Sequence, residues 1–179
     1  MARSSIPFAM ALLSVFAAAC AKERRAVVVP LIDELPRARI EAKQDVFVKE
    51  STLTVGGDAR RSLFMHPTST VQFDLVVPAR AKFSFAVGMP QDVWSKPGDG
   101  VQFSVAIGHG AGEQTTVFSR YVNPKAEQAD RAWFEDEIDL SLYEGQRIAL
   151  VLSTAPGPAG DPGWDFAGWA NPVVRGISW

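Results

Sequence analysis

Val71-Gln72-Phe73-Asp74-Leu75-Val76-Val77-Pro78 is the stretch on which the fold turns. Val71, Phe73, Leu75 and Val77 alternate with Gln72 and Asp74, and Pro78 stops the run. Successive side chains of an extended strand point to opposite faces, so alternation of this kind marks a strand with one face on a core. The same period recurs in Phe83, Phe85 and Val87, which Gly88 and Pro90 interrupt, and in Val101, Phe103, Val105 and Ile107. Further short strands are expected at Val46–Val48, Ser62–Met65, Thr115–Val122, Trp133–Leu140 and Arg147–Ser153. Ile148 to Leu152 is apolar on both faces, which predicts a central, covered strand.

Turn chemistry separates these runs: Gly56-Gly57-Asp58, Pro97-Gly98-Asp99-Gly100, residues 108–112, Asn123-Pro124 and residues 156–163. About eight to ten short strands at this spacing, with no helical stretches between them, indicate an antiparallel sandwich or barrel. Roughly 130 residues in the pattern fit a two-sheet jelly roll, so the expected class is all-β with a short helical segment near the N-terminus. That segment is Leu31-Ile32-Asp33-Glu34-Leu35, whose spacing suits one or two helical turns and which Pro36 should end.

The first twenty residues read differently. A positive start at Met1 to Arg3, an apolar stretch from Ile6 to Ala19 and the small residues Ala17-Ala18-Ala19 have the layout of an export signal. Cys20, the only cysteine, follows directly. A thiol in that position suits lipid attachment, because the thiol is the most nucleophilic side chain near neutral pH. The expectation is a bacterial lipoprotein anchored at Cys20 in the cell envelope, with plain secretion as the alternative. The domain map is then a signal over 1–19, a spacer with the short helix over 20–43, and a jelly roll over 44–179. Removing residues 1–19 leaves 17 basic against 20 acidic residues, a net charge of −3. No basic footprint for nucleic acid is present, and membrane contact would come from lipid alone.

Several phrases, taken in order, carry a resemblance: LIDELPRA, RRSLFMHPTSTVQFDLVVP, WSKPGDGVQFSVAIG, VFSRYVNP, DRAWFEDEIDLSLYEGQRIALVLST and WDFAGWANP. Together they resemble an accessory β-sandwich domain of bacterial sulfatase-like proteins and of some cell-surface proteins. That domain is similar to galactose-binding-like jelly rolls, including carbohydrate-binding modules attached to glycosidases. The resemblance spans nearly all of the chain after Cys20. It implies a galactose-binding-like β-sandwich without itself assigning an activity. In such proteins a sulfatase domain usually follows the sandwich, whereas this sequence runs to Trp179 without the C/S-x-P-x-R motif of that enzyme.

Five tryptophans invite a ligand reading, because the apolar face of a pyranose complements an indole ring whose N–H can donate. Trp94 and Trp164 border Gly/Pro loops and Trp133 follows Arg131, so these three are candidate sugar platforms, with core or loop anchoring as the competing role. Trp169 lies in the apolar last strand and is expected inside. Arg120 and Arg131 are candidate anion ligands, since a guanidinium presents a planar fork of donors. Each could instead pair with an acidic residue of Glu135-Asp136-Glu137. Asp99, in a Gly-Asp-Gly turn, and Asp165, assigned to the last strand, are weak candidates for a structural calcium, with backbone hydrogen bonding as the favoured role. No other cofactor is expected. His66 and His109 lack cysteine or carboxylate neighbours at zinc-ligand spacing. Nucleophile-elbow and phosphate-loop motifs are absent, so a hydrolase remains only an outlying alternative. The leading expectation is recognition of a saccharide through loop aromatics. Its rival is protein docking that holds an envelope enzyme such as a sulfatase.

Overall fold

The computed structural model describes residues 24–109 and 114–178, and the expected export signal and Cys20 lie outside the described residues. Eleven strands carry the alternation into two antiparallel sheets. In chain order they are β1 (Ala26–Pro30), β2 (Arg39–Ala42), β3 (Val48–Val55), β4 (Asp58–Met65), β5 (Ser69–Val76) and β6 (Ala79–Gly88). Then follow β7 (Val101–His109), β8 (Gln114–Val122), β9 (Phe134–Asp139), β10 (Arg147–Pro156) and β11 (Ala167–Ile177). The first sheet runs β3-β4-β11-β6-β9, with β1 also on β11, and the second runs β2-β5-β10-β7-β8. The fold class is the all-β, two-sheet antiparallel sandwich that the alternation predicts. Among the described residues no helix is long and apolar enough to cross a membrane.

The inward positions of the two sheets meet in one core. Val71 and Phe73 on β5, Phe103 and Val105 on β7, and Phe83 and Phe85 on β6 are all buried. Trp169 on β11 is completely buried, 5.3 Å from the Phe85 ring and 5.4 Å from Phe103 on the opposite sheet. Burial of each such side chain stabilises by roughly 1.5–3 kcal/mol. The continuous apolar run expected to be central is β10, the middle strand of the second sheet, and Val151 is buried even on its outer face.

Four boundaries differ from the sequence expectation, each for a physical reason. The sandwich begins before residue 44: β1 pairs with β11 and β2 with β5, so the stretch assigned to a spacer supplies two strands. Ala26 to Pro30 is an apolar run without alternation, and β2 is only four residues long, so neither shows period two. Asp45 to Phe47 form a 3-10 turn and β3 starts at Val48, not at Val46. The turn near the N-terminus continues past Pro36, which lies inside a 3-10 turn at Leu35–Arg37 because proline's missing N–H costs nothing in a first turn. Finally, β11 starts at Ala167, which leaves Trp164 and Asp165 in the preceding loop.

Strand β11 organises the first sheet. One edge pairs with β6; the other is shared between β4, over Ala167–Ala170, and β1, over Val173–Ile177. The change of partner falls at Asn171-Pro172, where Asn171 has φ +46 and the register with β6 shifts. Pro172 has no N–H to offer a ladder, and its carbonyl accepts the Leu31 N–H at 2.8 Å. At the far end of β11 the Ser178 N–H donates to the Arg25 carbonyl, and the Arg25 N–H to Ser178 Oγ. The chain therefore enters and leaves at one pole. The β6–β7 and β10–β11 loops sit at the other, an eleven-residue strand or roughly 35 Å away at ~3.3 Å per residue.

Candidate functional site

Three loops gather at that second pole: β6–β7 (89–100), β8–β9 (123–133) and β10–β11 (157–166). Carboxylates tie them together. Asp99 accepts the N–H of Gly157 at 3.2 Å and of Gly160 at 3.0 Å, and that of Ala159 as well. Asp165 Oδ1 accepts the Lys125 ammonium at 2.6 Å and the Gly100 N–H at 3.1 Å. Lys125 Nζ also donates to the carbonyls of Pro97 at 2.6 Å and Gly163 at 3.4 Å. Gly98, at φ +119, is required here: a Cβ would lie 2.1 Å from the Gly163 carbonyl oxygen and 2.2 Å from Lys125 Nζ. Burial pushes the Asp165 carboxyl above its ordinary value, against the opposing pull of Lys125 and the Gly100 N–H.

These contacts decide the two calcium candidates. Asp99 is filled by backbone donors, and beside Asp165 the cation's place is held by the Lys125 ammonium, so a calcium ion does not fit the arrangement as it stands. Among the described residues no group of three or more His, Cys, Asp or Glu side chains is placed to hold a metal ion.

The tryptophans divide by what covers them. Trp94 donates its indole N–H to the Met89 carbonyl at 2.9 Å, and the Arg131 guanidinium lies over its ring at 5.3 Å. Arg131 in turn donates from Nε to the Pro124 carbonyl. Trp133 lies across the outer face of the first sheet, where Gly88 and Gly168 leave room for its ring. Its N–H donates to the Asp58 carbonyl at 3.0 Å, and Arg60 covers it at 5.5 Å. Both indoles are loop anchors. Trp164 is the exposed one, 47% accessible, with φ +55. A bulky residue in that backbone region costs about 1–3 kcal/mol, and such positions cluster at functional sites.

Arg120 and Arg131 do not assemble an anion site. Arg120, on edge strand β8, follows Phe118 on the inward face, and its guanidinium lies 3.8 Å from the Phe134 ring centroid, where β9 edges the other sheet. Arg131 is in the β8–β9 loop on Trp94. The salt-bridge alternative is also not realised: Arg60 takes Glu135 and Lys82 takes Glu137. Sequence cannot rank these cations, because their partners come from strands distant in the chain.

An unexpected aromatic cleft of about 330 Å³ opens on the outer face of the first sheet, near the same pole. Phe47, Phe64, His66 and Phe166 line it, with Ser51, Leu53, Lys49 and Asp92 among the remaining walls. Phe47 stacks on His66 at 4.4 Å, and Phe166 meets both Phe64 at 5.3 Å and His66 at 5.8 Å. Trp164 extends the row, 5.9 Å from Phe166, with Lys96 over its outer ring at 5.3 Å. Lys49 is the cross-strand partner of Phe64, its ammonium 5.6 Å from that ring. His66 Nδ1–H donates to the Pro67 carbonyl at 2.7 Å, so in the neutral ring Nε2 is the acceptor. One signal was legible: Leu63 and Met65 face the core, so the intervening Phe64 is an aromatic on an outward position.

No family model matches this chain. An uncharacterized protein of Archaeoglobus fulgidus is 37% identical over 133 residues, covering 70% of this chain and 33% of that protein. This chain therefore spans about a third of that relative's length. Among solved structures, the module CBM51 of Clostridium perfringens GH95, in complex with methyl-galactose, superposes with a TM-score of 0.60. It is 15% identical, over 83% of this chain and 99% of the module. The CBM51-2 and INT domains of C. perfringens ZmpB, with GlcNAc, give 0.55 at 17% identity over 84% of this chain and 32% of that one. The fold is that of carbohydrate-binding-module β-sandwiches. At these identities the likeness establishes the fold alone.

Proposed function

We propose that this chain is a non-catalytic glycan-binding module of the cell envelope, and that the cleft between Phe47, Phe64, His66 and Phe166 receives a hexopyranose ring. The observation that carries this reading is an open aromatic pocket with polar groups at its walls, continuous with the exposed Trp164. Its volume falls near the lower end of small-ligand sites, roughly 300 Å³. The apolar face of the sugar stacks on the half-buried Phe166; its hydroxyls donate to Asp92 and to His66 Nε2 and accept from Lys49. Related folds solved with methyl-galactose and with GlcNAc support a neutral hexose as ligand. Hydrolysis of a glycoside ordinarily needs two carboxyl groups flanking the bond, and this cleft is lined by one, Asp92.

Attachment through an acylated Cys20 would place this cleft at the pole away from the membrane, since residues 24–25 leave at the opposite one. A docking role for a partner such as a sulfatase would call for a contiguous apolar patch. Among the described residues the exposed large apolar side chains are instead spread over the molecule: Val28, Ile40, Val46, Val76 and Leu142 lie on five different elements, Val117 and Tyr121 share β8, and Trp164 borders the cleft.

A glycan array probed with the protein tests the reading. Asp92→Asn should abolish the signal without a change in Tm, and Phe166→Ala should abolish it with a loss of stability from the ring contacts it gives up, while Leu142→Ala, exposed in the β9–β10 turn, should leave the ligand profile intact. An array without any bound glycan, or a Phe166→Ala protein that binds like the parent, would refute it.

A further inference from the structure

The outer face of the second sheet has a composition that the core does not require. On central strand β10 the outward residues after Arg147 are Ala149, Val151 and Ser153. They sit beside Gly108, Ala106 and Ser104 of β7. On the flanking β5 the outward residues are Asp74, Gln72 and Thr70, and Arg39 of β2 stands opposite Gln72. Small side chains along the two inner strands and long polar ones beside them make a trough that follows the strand direction. At one end it deepens into a hollow of about 400 Å³ lined by Arg39, Gln72, Asp74, Gly108, Arg147 and Ala149.

Gly108 keeps the floor low: a Cβ there would lie 3.3 Å from the Gln114 side chain and 3.4 Å from Ala149. Gln72 Nε2 donates to Asp74 Oδ1 at 2.8 Å, which orients both groups and leaves Asp74 Oδ2 open. Arg39 and Arg147 are exposed, and among the described residues neither guanidinium has an ion-pair partner. Arg60 and Arg61 of β4, by contrast, are each paired with two carboxylates.

We propose that this trough binds an acidic polysaccharide, with its carboxylate or sulfate groups on Arg39 and Arg147 and its hydroxyls on Gln72 and Asp74. A guanidinium matches either anion through two parallel N–H donors. The absence of aromatic rings from the hollow argues against stacking as the mode of recognition and in favour of polar contacts. The chain is acidic overall, with 20 Asp and Glu against 18 Lys and Arg, so capture of a polyanion needs a local site rather than general attraction. The trough and the aromatic cleft occupy opposite sheets, so the two assignments stand independently.

Titration calorimetry with polygalacturonate and with dextran sulfate, against neutral dextran, tests it and separates the carboxylate from the sulfate. At least one polyanion should bind, neutral dextran should not, and Arg39→Gln/Arg147→Gln should weaken binding at least tenfold with unchanged Tm. Arg175→Gln, which removes an exposed cation from the other sheet, should have no effect. Equal weakening by Arg175→Gln would mean diffuse charge attraction and would overturn the site. So would parent-like binding by the double variant, no polyanion binding at all, or loss of binding in Phe166→Ala, which would move the polyanion to the aromatic cleft.

Discussion

Lys125→Met offers the sharpest test of how the three loops of this pole are held together. The Lys125 and Asp165 side chains are 7% and 0% exposed, and their ion pair spans 2.6 Å. Asp165 Oδ2 has no hydrogen-bond partner, so without the ammonium the buried carboxylate is left to the backbone N–H groups of Gly100 and Asp99. Breaking one side of a buried pair costs about 3–5 kcal/mol. At roughly 2–4 °C per kcal/mol for a domain of this size, Tm should fall by on the order of 10 °C.

The pH dependence carries a definite sign. Burial already raises the Asp165 carboxyl in the folded protein, and Lys125 opposes that rise. A raised folded-state value means that the stability tied to this group is fully present below the unfolded carboxylate value, about 4, and is lost as pH rises through the folded one. Removing Lys125 enlarges that loss. The deficit of Lys125→Met should therefore be greatest near neutrality and shrink towards about pH 4.5. Urea unfolding of the parent, Lys125→Met, Asp165→Asn and the double variant at both pH values measures it. The reasoning fails if the neutral-pH deficit is under about 1 kcal/mol, if it is the same at both pH values, or if adding Asp165→Asn to Lys125→Met recovers nothing.

Three further outcomes are expected. Asp99→Ala strips the acceptor from the N–H groups of Gly157, Ala159 and Gly160; stability should drop by about 1–3 kcal/mol, and amide exchange at residues 157–160 should accelerate. Gly168→Ala would put a Cβ 2.6 Å from Leu53 Cδ1 and 3.1 Å from the Trp133 ring; calorimetry should show a loss of about 1–3 kcal/mol, partly relieved by Leu53→Ala. The carboxyls of Glu50 and Glu137 lie below their ordinary values, held there chiefly by hydrogen bonds from Arg61 and Lys82. Their contribution is present above the unfolded carboxylate value and lost as pH falls through the folded one, and thermal scans in about 1 M salt should flatten that acid limb because both pairs are exposed.

Much of the sandwich can be read along the chain. Val71-Gln72-Phe73-Asp74-Leu75, the repeats of that period and the Gly/Pro turns specify strands, their inward faces and their punctuation. The run Ile148–Leu152 also specifies which strand is covered on both sides. What escaped were elements without period two: the apolar β1 and the four-residue β2, whose pairing partners lie far away in sequence, and most of the edge strand β3, which pairs with β4 directly across the Gly56-Gly57 turn. The site was less legible. Arg120, Arg131, Trp94 and Trp133 all carry chemistry that suits a ligand, yet each is spent on a ring or a carbonyl brought from another segment. Phe47, Phe64, His66 and Phe166 look ordinary in sequence and converge only because β4, β11 and the turn before β3 meet at one pole.

The division has a simple origin. Side-chain alternation, chain-reversing glycines and the charge balance are properties of neighbouring residues, so the order of amino acids alone determined that this chain would form strands with one oily face. Which aromatic stays open, which cation is neutralised and which carboxylate is buried depend on atoms far apart in the chain, 75 positions between Arg60 and Glu135 and 102 between Phe64 and Phe166. Only the closure of the two sheets brings those atoms together.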